Sequence, residues 1–221
     1  MNTEAAGASK DPVQRLLDWS DRHRRHLTLA AIVVAAIGGG AWFTVEYHRR
    51  KEAAASAALD QASASLQSGN LPLAASDLSR LVSSYGGTSA ADEAVLLLAQ
   101  VRLLQKQGEQ AAQELQSALQ EGLDDQYVAP AYSLLGAAQE NAGNLQAAAQ
   151  AYERAAETCW YPPVAAEYLN DAGRAYWNDG ELQNAIADYQ KVVDDHADAP
   201  AALEAKVRLG ELKARLASRG T

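Results

Sequence analysis

The sequence predicts an all-α protein: an N-terminal transmembrane helix, then a solenoid of about four stacked helical hairpins, closed by a capping helix. Three observations carry this expectation. Residues 27–45 run for 19 positions without a charged side chain. From residue 55 onward, small and large apolar residues recur at intervals of 37. Alanine supplies 48 of 221 residues while β-branched and aromatic side chains are sparse, a mix that favours helix over sheet.

Taken in order, residues 1–26 are expected to be a short N-terminal cytoplasmic tail. Asp11-Pro12-x-Gln14 has the form of a helix start, and Val13, Leu16, Leu17 and Trp19 give an apolar stripe beside Arg15, Arg22, Arg24 and Arg25. A membrane-surface helix and a helical extension of the following span are both consistent with it. The run Leu27–Val45 follows (LTLAAIVVAAIGGGAWFTV). At about 1.5 Å per residue it reaches roughly 28 Å, close to the hydrocarbon thickness of a bilayer. Trp42, Phe43 and Tyr47 stand where an interfacial aromatic belt would sit, and Ala35 with Gly38, Gly39 and Gly40 forms a candidate packing face for another membrane helix. A cleaved signal peptide is the competing reading, opposed by the long preceding segment and the basic stretch after the run. Five basic residues precede the run and three follow it, which predicts a cytoplasmic N-terminus and an exported C-terminal domain. The expected location is thus the inner membrane, single-pass, with residues 46–54 as a juxtamembrane linker and 55–221 as the periplasmic solenoid. The reverse topology stays open.

Charge divides the same way. Residues 1–51 hold 8 basic and 5 acidic side chains (+3), residues 52–221 hold 11 and 23 (−12), and the whole chain carries −9. A domain this acidic lacks the Lys and Arg that phosphate neutralisation demands, so nucleic acid is excluded as a partner. Cys159 is the single cysteine, which rules out an intramolecular disulfide and any thiolate zinc cluster.

The repeat fixes the hairpins. Ala62, Ala99, Gly136, Gly173 and Gly210 form a ladder of small residues; Ala74, Ala111, Ala148 and Ala185 form a second. Leu78, Leu115, Tyr152 and Tyr189 form a ladder of large residues, and Leu81, Ala118, Ala155 and Val192 a fourth. Small residues let two helices approach closely, and large residues one turn on fill the space between successive hairpins. Turns are expected at Gly69-Asn70, Gly108, Gly143-Asn144 and Asp179-Gly180, with breakers between units at Gly86-Gly87, Pro130, Pro162-Pro163 and Pro200. Residues 201–216 are the expected capping helix.

Residues 131–155 (AYSLLGAAQENAGNLQAAAQAYERA) and 168–192 (YLNDAGRAYWNDGELQNAIADYQKV) resemble the tetratricopeptide repeat (TPR) family. The units starting near 55 and 92 are more degenerate, and the period exceeds that family's usual one. A basic tail, one span and a degenerate TPR domain also resemble the ancillary subunit of the SecYEG translocon. That likeness implies partners among translocon subunits and periplasmic chaperones. Envelope TPR scaffolds of cell division or polysaccharide export, or a cytoplasm-facing adaptor, are the alternatives.

Chemistry-bearing motifs are scarce. No HExxH, GxxxxGK[ST], GxSxG or GxGxxG occurs, so no enzyme, metal or cofactor is expected. Asp194-Asp195-His196-x-Asp198 lacks calcium-loop spacing, and Cys159 reads as a buried structural thiol or, in an oxidising compartment, an intermolecular disulfide. A TPR solenoid lines its inner face with the first helix of each pair. The resemblance thus implies a protein-binding groove at Gln100, Leu103, Leu104, Glu140, Asn141, Asn170, Arg174, Trp177 and Asn178, with Trp177 either in the groove or packed against its neighbour. The positions that a carboxylate clamp would need read Ser63, Gln100, Ala137 and Arg174, which argues against that mode.

Overall fold

The structure is a computed structural model and describes residues 13, 19 and 23–219. The described elements are helical: α1 (Arg24–Gln67), α2 (Leu71–Tyr85), α3 (Ser89–Leu104), α4 (Gly108–Glu121), α5 (Asp125–Asn141), α6 (Leu145–Thr158), α7 (Pro162–Asp179), α8 (Leu182–Asp195) and α9 (Ala201–Arg219). They divide into two compact units, residues 1–50 and 51–221.

In the first unit, His23 stacks on Trp19 with ring centroids 4.9 Å apart, and Arg50 pairs with Glu46 at 2.7 Å. The expected helix start at Asp11-Pro12-x-Gln14 lies outside the described residues. Among the described residues, no helix is long and apolar enough to cross a membrane. The expected transmembrane helix over 27–45 is thereby overturned, and with it the single-pass inner-membrane location and the cytoplasmic-to-periplasmic topology. Freedom from charge and eight Leu, Ile, Val or Phe side chains drew that span, a favourable sum of only a few kcal/mol. Gly38, Gly39, Gly40, Thr28, Thr44 and Trp42 add little transfer free energy. The 44-residue α1 that houses the run continues unbroken through Glu46, Arg49, Arg50, Lys51 and Glu52. Ala35 is exposed and a Cβ at Gly38, Gly39 or Gly40 would meet nothing within 4 Å, so these residues make no close packing within the chain.

In the second unit, successive helices pack as antiparallel pairs, and first helices also meet across them, α3 on α5 and α7 on α9. The four ladders explain the packing. Ala74, Ala111, Ala148 and Ala185 are fully buried, and so are Leu115, Ala155 and Val192. A Cβ added at Gly136 would lie 2.6–2.8 Å from the Tyr152 ring, and one at Gly173 2.9–3.1 Å from the Tyr189 ring. Glycine at these two positions is therefore a socket for the aromatic residue 16 positions on. Where the first helix carries alanine instead, at Ala62 and Ala99, leucine stands in place of tyrosine, at Leu78 and Leu115.

Helix ends follow local chemistry. Asn70 Oδ1 accepts from the Leu73 amide at 3.2 Å, with Pro72 in the first turn of α2. Thr88 Oγ1 accepts from the Ala91 amide at 3.2 Å, and the Glu52 carboxylate accepts from the amides of Ser89 and Ala90, both at 3.1 Å, at the positive end of α3. Two expected turn signals are corrected. Pro130 lies inside α5 rather than between units, because the chain break falls earlier, at Gly122–Asp124, where Gly122 has φ +98°. Gly108 is not the turn glycine of its unit; the left-handed position is Lys106, at φ +59°. Gly108 is instead buried under α5, where a Cβ would meet the Ala138 carbonyl and Asn141 Oδ1, both at 2.7 Å.

Candidate functional site

The first helices α5, α7 and α9 align one stripe of side chains, because residues 37 apart occupy equivalent turns: Glu140 and Trp177, Asp171 and Arg208. Arg174 Nη1 donates to Glu140 Oε1 at 2.6 Å and its Nη2 to Glu140 Oε2 at 3.2 Å, joining α7 to α5. It also donates to Asp171 Oδ1 at 3.0 Å. The Tyr152 hydroxyl donates to Glu140 Oε2 at 2.9 Å, so the aromatic ring filling the Gly136 socket also positions the acid that holds Arg174. Farther along, the Arg208 guanidinium lies 5.9 Å from the Trp177 ring centre and pairs with Glu211 at 3.3 Å and Glu204 at 3.6 Å. The result is a continuous band of carboxylate, guanidinium and indole across three helices.

Protonation states follow from these pairings. Burial works against the Arg174 cation, yet its hydrogen bonds to Glu140 and Asp171 hold it protonated beyond the ordinary arginine range. Burial raises Asp171, with the bond to Arg174 opposing. Tyr152 is raised by burial and by the Glu140 charge, which keeps its hydroxyl a donor. Four carboxylates (Glu140, Asp171, Glu204 and Glu211) share two guanidinium groups, so the band is net negative.

The sequence-derived groove residues divide. Gln100, Asn141 and Asn178 are exposed, Leu104 is 67% exposed, and Leu103 and Glu140 are half-buried. Trp177 is half-buried, packed against the α6–α9 core, with the Arg208 guanidinium 5.9 Å from its ring centre. Asn170 is buried, its Nδ2 donating to the Ala201 carbonyl at 2.9 Å; it ties α7 to the start of α9 and presents little to a partner. Arg174 is exposed but already doubly paired. Asp171, Glu204, Arg208 and Glu211 were missed by sequence reading. Their signal was available: Asp171 precedes Arg174 by one turn, and Arg208 follows Asp171 by one repeat.

Elsewhere, a groove of about 390 Å³ opens between α2 and α4, bordered by Val82, Val95, Leu98 and Glu114. Cys159 is half-buried rather than buried, its thiol 3.5 Å from the Tyr161 carbonyl, and the next residue, Trp160, is 85% exposed. Among the described residues, no group of three or more His, Cys, Asp or Glu side chains is arranged to hold a metal ion.

A family model described as tetratricopeptide repeat-like domain matches residues 18–214. No curated protein matches the chain. Among solved structures, the crystal structure of MamA protein is similar, with a TM-score of 0.54 and 22% identity over 72% of this chain and 85% of that one. At that identity the likeness speaks for the fold alone.

Proposed function

This chain belongs to the tetratricopeptide repeat-like domain family, and on that premise we propose that residues 51–221 hold partner proteins on the face that α5, α7 and α9 share. The observation that supports this is the band running from Glu140 through Arg174 and Asp171 to Trp177 and Arg208. Its arginines are spoken for by four carboxylates, so the charge left for a partner is negative. The partner segment is therefore basic, with an apolar or aromatic side chain seated by the Trp177 indole, and Gln100, Asn141 and Asn178 supply hydrogen bonds along the same row of helices. An acidic C-terminal peptide is disfavoured on the same grounds. No step here is catalytic; the work is binding.

Photo-crosslinking residues placed at Gln100, Asn178 and, on the second-helix side, Gln150 test the assignment. Basic peptides carrying an aromatic residue should be captured from the first two positions and not from Gln150. Equal capture from all three, or preference for acidic peptides, would sink it.

A finer reading makes the partners translocon subunits or chaperones. It rests on the basic residues of the tail and the size of the repeat domain, since the span that completed that layout is overturned. Identifying proteins crosslinked in cells from Asn178 decides it: a catch without translocon subunits or chaperones removes the reading and leaves the binding face intact.

A further inference from the structure

Helix α9 buries one side and leaves the other bare. Ala202, Ala205, Leu209 and Leu212 are at most 7% exposed, packed into the α6–α9 core. On the opposite side stand Leu203, 73% exposed, Val207, 54% exposed, and the exposed Gly210 and Ala214. Their spacing of 4, 3 and 4 is the seam of a helix pair, two positions per heptad. Gly210 is the repeat equivalent of Gly136 and Gly173, each of which receives a tyrosine ring from the next helix. At Gly210 an added Cβ would meet nothing within 4 Å, so among the described residues this socket has no occupant.

Charges flank the seam asymmetrically. Seven-residue spacing places Lys206 and Lys213 on one flank and Glu204 and Glu211 on the other. That pattern selects both an occupant and a direction. We propose that the bare side of α9 pairs with α9 of a second copy of this chain, the two helices running parallel about a two-fold axis. In that arrangement Leu203, Val207, Gly210 and Ala214 each meet their own counterparts. The lysine flank of one helix faces the glutamate flank of the other, with Lys206 reaching the partner's Glu211 five residues on, twice by symmetry. An antiparallel pair would set Lys206 against the partner's Lys213 and Glu204 against the partner's Glu211, joining like charges. Gly210 removes bulk at the middle of the seam and admits close approach.

Competition for these charges is limited. Lys213 Nζ is 3.2 Å from Gln190 Oε1, and Glu211 is shared with Arg208 at 3.3 Å; both remain exposed. Burying Leu203 and Val207 twice over supplies the affinity, and the ion pairs fix the register. The apolar seam itself lies outside the band, but its glutamate flank, Glu204 and Glu211, also belongs to the band, so the two proposals share those carboxylates while their tests read assembly and peptide capture separately. Pairing would place two binding faces in one particle and so raise avidity for partners that present two segments.

The test uses the full chain, with assembly measured by sedimentation and geometry by cysteine pairing. In a Cys159→Ser background, Val207→Cys should form a disulfide dimer under mild oxidation, and Gln150→Cys on exposed α6 should not. Lys206→Glu should weaken the dimer about tenfold, two surface ion pairs being exchanged for repulsions, and Lys206→Glu with Glu211→Lys should restore it. Val207→Glu should weaken it by about a hundredfold or more, since a charge then faces its own copy across the seam. All these positions are solvent-exposed, so circular dichroism should show unchanged helix. A chain monomeric across the micromolar range overturns the proposal. So does association unaffected by Val207→Glu, which would locate it in another segment such as residues 1–50. Disulfide formation only between Val207→Cys and Gly210→Cys chains, the antiparallel signature, overturns it too.

Discussion

Gly136→Ala is the substitution whose outcome bears most directly on how the hairpins pack. Alanine is normally the better helix residue by about 1 kcal/mol, and in the interior of α5 the change would ordinarily stabilise. Here the new Cβ would fall 2.6–2.8 Å from three atoms of the Tyr152 ring, well inside van der Waals contact. The ring is not a loose end free to swing away. Tyr152 is 4% exposed, its hydroxyl is bonded to Glu140, and Glu140 is gripped by Arg174. Relief therefore requires separating α5 from α6 or breaking the Tyr152–Glu140 bond. Overpacking of a tight core costs about 1–3 kcal/mol and a lost hydrogen bond to a charged group about 1.5–3, so with both forced the net loss after the propensity gain should be about 1.5–5 kcal/mol. The same change at Gly210, where the added atom meets nothing, should stabilise by about 0.5–1 kcal/mol. Urea titration followed by circular dichroism, at concentrations low enough to keep the chain monomeric, compares the two. The pair Gly136→Ala with Tyr152→Leu, copying the Ala99 and Leu115 combination of the preceding unit, should recover part of the loss. A neutral Gly136→Ala, or equal effects at both positions, would refute the socket account of the ladder.

Further outcomes follow from single sites. Lys106→Gly should stabilise by about 1 kcal/mol in the same titration, because Lys106 holds a left-handed φ of +59° that costs a side-chain-bearing residue. Thr88→Ala should destabilise by about 1 kcal/mol through loss of the cap to the Ala91 amide. Asp188 is 6% exposed with Oδ2 lacking a partner, and burial, with Glu153 charged nearby and Lys191 only partly offsetting, pushes it up to about 7. The folded chain then binds a proton at Asp188 that the unfolded chain has already released, so its contribution to stability falls as pH rises from about 4 to 7 and stays lost above that. Asp188→Asn should flatten that decline and raise stability at pH 8, by about 1–2 kcal/mol once a relieved buried charge is weighed against imperfect amide pairing.

Much of the repeat was legible because it is written in positions rather than in partners. Ala74, Ala111, Ala148 and Ala185 are buried where the 37-residue interval puts them, since close helix approach tolerates only small residues there. The signals that misled were single residues read without their surroundings. Pro130 reads as a breaker, yet it sits inside α5 because the chain had already turned at Gly122. Gly108 reads as a turn, yet it is a point of close approach beneath α5. Absence of charge over residues 27–45 reads as a membrane span, yet among the described residues no helix is apolar enough to be one.

Composition and spacing alone determined that the chain is helical, that it repeats as hairpins, and that its repeat domain is acidic. These follow from local propensity and from periodic small and large residues, which every unit must satisfy on its own. Which polar groups on the shared face remain available was decided only by tertiary structure. Arg174 is neutralised by Glu140 from 34 positions away, Asn170 is spent on the Ala201 carbonyl, and Trp177 is half-covered by Arg208. Each of those fates depends on how far one helix rotates against the next, a quantity set by the packing of both rather than by either sequence.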